Sequence, residues 1–157
     1  MTPAYRPMCV AILVSLSVAP GSAGPLQDAQ AAYESADYAT ALRLFRAVAV
    51  EGDATAQSRL GMMYERGLTV PQDYALAAEW YRRAADQGDK IAQFDLAVMF
   101  ETGYGVQQDY VQAHMWYNLS AAQGWGAASL ARLKLERTMT PAQIAEAQKL
   151  ARERKPR

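Results

Sequence analysis

The chain has 157 residues, enough for one domain, and its 16 basic residues are balanced by 16 acidic ones. That balance excludes a whole-molecule field that would recruit nucleic acid or an anionic membrane. Alanine is abundant and long residues such as Leu, Gln, Arg, Glu and Met dominate the rest, which favours helix over sheet.

The first expected element is a leader. Arg6 precedes an apolar run, CVAILVSLSV (Cys9 to Val18), that is too short to span a bilayer. The following APGSAG supplies helix breakers and small residues that place cleavage near Ala23. Residues 1–23 are therefore expected to be a signal peptide, leaving 24–157 as a periplasmic or secreted domain with no stable membrane insertion. Cys9 would leave with the leader, and the mature chain would then have neither a disulfide nor a thiolate nucleophile.

The next segment, 25–51, reads as two helices, PLQDAQAAYE and YATALRLFRAVAV, joined by a short turn. Its Asp37, Tyr38, Ala41, Phe45 and Ala49 recur 36 residues later as Asp73, Tyr74, Ala77, Tyr81 and Ala85. The period is clearest in the two windows that follow, 52–87 and 88–123, which align without a gap and share 17 of 36 positions. An internal repeat of this length points to a helical solenoid.

Each window predicts two helices. In the first, Ala56, Leu60, Met63 and Tyr64 fall on one helical face, and Gly67 stops the helix. After the loop LTVPQ, Asp73 is placed to cap a second helix whose apolar face is Ala77, Trp80, Tyr81, Ala84 and Ala85. One hairpin cannot bury both faces, so hairpins stack. The last segment, 124–157, opens a further helix at Gly124 and closes with TPAQIAEAQKLARERK. There Thr140, Pro141 and Gln143 form a capping box, and the polar, basic surface suits a terminal hairpin facing water. About eight helices in four hairpins are expected.

The repeated pattern GD-x-x-AQ-x-x-L, then M-[YF]-E-x-G-x-x-V-x-QDY-x-x-A-x-x-WY, resembles the Sel1-like repeat, a tetratricopeptide-related family. The resemblance is close over Gly52 to Gln123, looser from Leu26 to Glu51, and the tail is similar to the ending of exported bacterial members. It implies an all-α, right-handed α/α superhelical solenoid that binds proteins or peptides. No cofactor is expected, and a partner of unspecified identity stands in place of nucleic acid. A regulator of a membrane sensor or a polysaccharide-export assembly is a more specific form of the same reading. The resemblance also extends to cysteine-rich relatives linked to β-lactam binding or hydrolysis, which makes a hydrolase the less favoured alternative, since those carry paired cysteines in every repeat and this chain has none beyond Cys9.

First helices of such a superhelix line the concave groove. Side chains there that the repeat does not need are Thr55, Ser58, Arg59 and Met62, then Ile91, Phe94, Asp95 and Val98. Apolar members would anchor a partner while Arg59 and Asp95 fix its orientation. On the second helices, Ala75, Glu79 and Arg83 become Val111, Met115 and Leu119, an apolar outer row beside His114. That row predicts either cover by the terminal hairpin, where Trp125 and Leu130 are available, or an exposed strip for docking or weak self-association. His114, the only histidine, has no second His or Cys for a metal site and is expected at the edge of the buried face. The basic residues Lys149, Arg152, Arg154, Lys155 and Arg157 are expected to be a solvated helix end.

Overall fold

A computed structural model describes residues 24–154. The expected leader, its cleavage point and Cys9 lie outside the described residues. Among those described, the chain forms eight α-helices and no strand: α1 (Pro25–Glu34), α2 (Tyr38–Val50), α3 (Ala54–Arg66), α4 (Tyr74–Asp86), α5 (Lys90–Thr102), α6 (Tyr110–Ala122), α7 (Gly126–Glu136) and α8 (Pro141–Glu153).

The helices begin where short acceptor side chains meet the free N–H groups of a first turn. Asp53, Asp73, Asp89 and Asp109 each accept from the backbone N–H three residues on, at 2.8, 2.9, 2.7 and 3.0 Å. Thr140 and Gln143 complete the expected capping box on α8. Gly67 and Gly103 end α3 and α5 in the left-handed conformation, with φ of 65° and 79°. The α1–α2 connection runs only from Ser35 to Asp37, while the loops Gly67–Asp73 and Gly103–Asp109 of the two regular repeats match in length.

Consecutive helices pack from α1 to α7, which gives a solenoid of helical hairpins. One set of buried residues, including Ala41, Phe45, Leu60 and Met63, joins α1 to α3; a second, including Tyr81, Leu96, Trp116 and Tyr117, joins α4 to α8. Between repeats the same polar ties recur. Gln57 donates to Ala49 O at 3.1 Å and Gln93 to Ala85 O at 3.2 Å, while Gln87 and Gln123 donate to Gln57 and Gln93 at 2.8 Å. Gln57 and Gln93 are buried, so these bonds satisfy amides that would otherwise be shut away from water.

The end of the chain departs from the expected hairpin. α8 packs on α6 rather than on α7, so the two terminal helices straddle α6 instead of closing on each other. As a result Ala113, His114, Met115, Trp116 and Tyr117 are all buried. Five consecutive residues turn through more than a full helical revolution, so α6 is enclosed on every side over this stretch.

Candidate functional site

Of the two alternatives for the outer row of α6, cover by the terminal helices or an exposed strip, the enclosure of α6 favours cover. Met115 is 2% exposed, His114 is 0% exposed, and Val111 and Leu119 are half-buried against the core. His114 Nε2 sits 2.8 Å from Glu136 Oε1 of α7, with Arg132 a further 3.6 Å from the same oxygen. His114 is thus a fully interior residue, because α7 covers the helix edge on which it lies. Its Nδ1 is buried and has no partner among the described residues. Leu130, expected to provide cover, is instead 72% exposed, and it shares the open side of α7 with Leu133 at 53%. Trp125 does pack against the core, with Lys90 Nζ 5.7 Å from its ring centre.

The residues expected on the groove are brought together in part. Thr55, Ser58, Arg59 and Met62 of α3 and Ile91 and Asp95 of α5 line one shallow depression of about 70 Å³, joined by the capping residue Asp89. They sit on adjacent first helices at equivalent turns, so the 36-residue period places them side by side. Phe94 and Val98 are not part of this lining; both are half-buried in the core, and the Phe94 ring lies 5.6 Å from that of Tyr117. Phe94 replaces the smaller, polar Ser58 of the preceding repeat and reaches the Tyr117 ring of α6.

The depression has an apolar entrance and an acidic floor. Ile91 is 42% exposed, and Thr55 is exposed beside it. From the α1 side, Tyr33 approaches this wall: its hydroxyl lies 3.9 Å from Met62 Sδ and its ring centre 5.8 Å from the Arg59 guanidinium. Asp95 is half-buried and makes no hydrogen bond or ion pair with a described residue. Burial, reinforced by the charges of Glu65 and Asp89 and opposed by Arg66, pushes its carboxyl up to about 7. A cationic or hydrogen-bond-donating group entering the depression would relieve that penalty.

Sequence reasoning missed a second cluster. The Arg154 guanidinium lies 4.1 Å from the Trp116 ring centre and pairs with Asp86 at the end of α4. Arg154 was expected in a solvated basic tail; it folds back onto the solenoid because an aromatic face and a carboxylate meet there. Among the described residues, histidine and acidic side chains form no group of three that could hold a metal. No helix described is long and apolar enough to cross a membrane.

This architecture, helical hairpins stacked at a fixed period with ties repeated between neighbours, defines an α-helical repeat scaffold of the kind that presents a surface rather than a closed pocket. The Sel1 repeat family model matches residues 54–89 and 90–125, the same period read from the sequence. Over these residues the chain carries two Sel1 repeats. Among solved structures it is similar to c5321 from uropathogenic Escherichia coli, a protective antigen displaying an SLR fold, at 29% identity and a TM-score of 0.79 over 83% of this chain. It is also similar to a Sel1 repeat protein from Oxalobacter formigenes, at 25% identity and a TM-score of 0.69 over 83% of this chain. The chain spans 29% and 56% of the length of these two relatives. No curated protein matches it.

Proposed function

We propose that the chain is a non-catalytic scaffold that binds a protein or peptide through the depression between α3 and α5. The observation that carries this reading is the convergence of Thr55, Ser58, Arg59, Met62, Ile91 and Asp95 on one surface, although the repeat pattern itself requires none of them. An exposed Ile91 and the stem of Met62 supply apolar contact, and Arg59 and Asp95 supply opposite charges that fix the register of a bound segment. A Sel1-repeat solenoid offers such a surface by stacking, and export through the leader expected at residues 1–23 would place it in the bacterial periplasm or outside the cell.

The test is site-specific photo-cross-linking in the native cell envelope. A photoreactive residue at Ile91 should capture a defined protein, whereas the same residue at Glu79, exposed on α4, should not. Capture should disappear when Arg59→Glu is added at the depression. Equal capture from both positions, or capture indifferent to Arg59→Glu in folded protein, refutes the reading.

A further inference from the structure

Asp86 of α4 and Trp116 of α6 meet Arg154, the residue that caps the end of α8, and Arg154 lies 68 positions from its acidic partner along the chain. Trp116 is 0% exposed, and part of what covers it is the guanidinium of Arg154. Beside the stacked pair is a cavity of about 170 Å³, whose walls include Ala85, Gly88, Leu119 and Ala122. The indole Nε1–H of Trp116 is buried without a partner among the described residues.

The carboxylate in this cluster is not part of the repeated framework. One period earlier its place is taken by Val50, and one period later by Ala122. Trp116 does repeat, as Trp80, and there too an arginine, Arg83, stacks at 4.5 Å. What distinguishes the second repeat is that the aromatic face is paired with a carboxylate and bordered by open apolar space. An aromatic plane beside a carboxylate is the chemistry that recognises a planar guanidinium, and it prefers arginine to the more strongly hydrated lysine ammonium.

The occupant now seated there is held loosely. The side chains of Arg154 and Asp86 are 39% and 48% exposed, so salt screens their attraction. Arg154 is the C-cap residue of α8, outside the helix with φ of −84° and ψ of 81°, anchored by a single N–H to Leu150 O. Releasing it therefore requires no unfolding of α8.

We propose that Asp86 and Trp116 form a guanidinium-binding site, filled in cis by Arg154 and able to accept an arginine side chain of a partner peptide in its place. The adjoining cavity takes the aliphatic stem of the incoming residue, against Leu119 and Ala122. This site shares no lining residue with the depression lined by Thr55 and Asp95 and does not depend on it.

The experiment follows the Trp116 indole N–H resonance of residues 24–157 during titration with N-acetyl-arginine amide. Trp80 and Trp125 report on the fold in the same spectra. Arg154→Ala should bind the amide at least about fivefold more tightly than wild type, since the cis competitor is gone. Adding Asp86→Asn should reverse that gain, and N-acetyl-lysine amide should bind more weakly than the arginine probe. Arg154→Gln, which keeps a stem, repeats the measurement should alanine disturb α8. The proposal is overturned if neither variant shows a saturable Trp116 shift up to about 50 mM amide, or if the shift is indifferent to Asp86→Asn. Dimerisation through this face without any response to the amide would also overturn it.

Discussion

The Tyr81 hydroxyl donates to Glu65 Oε2 at 2.6 Å, tying α4 to the end of α3. One period later Tyr117 donates to Glu101 Oε2 at the same distance. Both tyrosines are essentially unexposed, and burial, with nearby acidic charge, pushes their ionisation well above the ordinary range, so each remains a donor at any pH the fold tolerates. A hydrogen bond to a charged acceptor contributes about 1.5–3 kcal/mol. Tyr81→Phe should therefore lower the free energy of urea unfolding by about that amount, and Tyr117→Phe should do the same. A loss near zero for both would show that the hydroxyls are as well satisfied in the unfolded chain.

Asp95 gives the fold a pH dependence of definite sign. Its carboxyl is pushed up to about 7, chiefly by burial and then by Glu65 and Asp89, against about 4 in an unfolded chain. The folded state holds the proton through that interval and the unfolded state does not, so this group's contribution falls as pH rises from about 4 to about 7. The penalty is complete above the folded value. Asp95→Asn should consequently stabilise the protein at pH 8, on the order of 1–2 kcal/mol after solvent screening, and have little effect near pH 4. The difference between the two unfolding profiles isolates this residue from the other carboxylates. A difference constant across pH would sink the assignment.

The regular repeats were legible because period, caps and apolar faces all report the same geometry. Asp53, Asp73, Asp89 and Asp109 cap as their positions predict, and Ala56, Leu60, Met63 and Tyr81 are wholly buried. Of the eight residues expected on the groove, six line one depression, and Phe94 and Val98 pack against the core. What the sequence left open or missed depends on contacts outside the period. Cover of the outer row was one of two expectations; Met115 and His114 are interior because α7 and α8 straddle α6, and no local pattern in the tail encodes that docking. Arg154 escaped for the same reason, since its partners are Asp86 and Trp116, far along the chain.

The two regular loops make a controlled comparison of backbone strain. Thr69 in the first has φ of 64°, and Gly105, one period on, has φ of 71°. A Cβ at Gly105 would also run into the backbone of Tyr74 and Ala75, where the loop presses on the start of α4. Gly105→Ala should thus cost more than the roughly 1–2 kcal/mol of a left-handed alanine alone. Thr69→Gly should be neutral or stabilising by up to about 1 kcal/mol, because strain relief competes with the entropy of a freer unfolded chain. Thermal unfolding of the two variants side by side checks the opposite signs. Equal destabilisation would mean that neither the φ value nor the close approach governs these positions.

His114 ties the last regular repeat to the terminal helices, and its removal tests whether that docking is one cooperative piece with the solenoid. The equivalent residue one period earlier is Ala78, also buried, at 3% exposure, so an alanine is compatible with the helix itself. What His114→Ala removes is the contact to Glu136, at 2.8 Å, and the ring volume filling the space beneath α7. The expected loss is about 2–3 kcal/mol, from the cavity and from a half-buried carboxylate left with Arg132 alone. Amide exchange should accelerate in α7 well before it does in α3 or α4, because the lost contact belongs to the terminal docking. His114→Gln, which can still donate to Glu136, should recover part of the stability. A uniform rise in exchange across all eight helices would instead show that the terminal pair and the repeats unfold together, and that His114 supports the whole solenoid rather than its end.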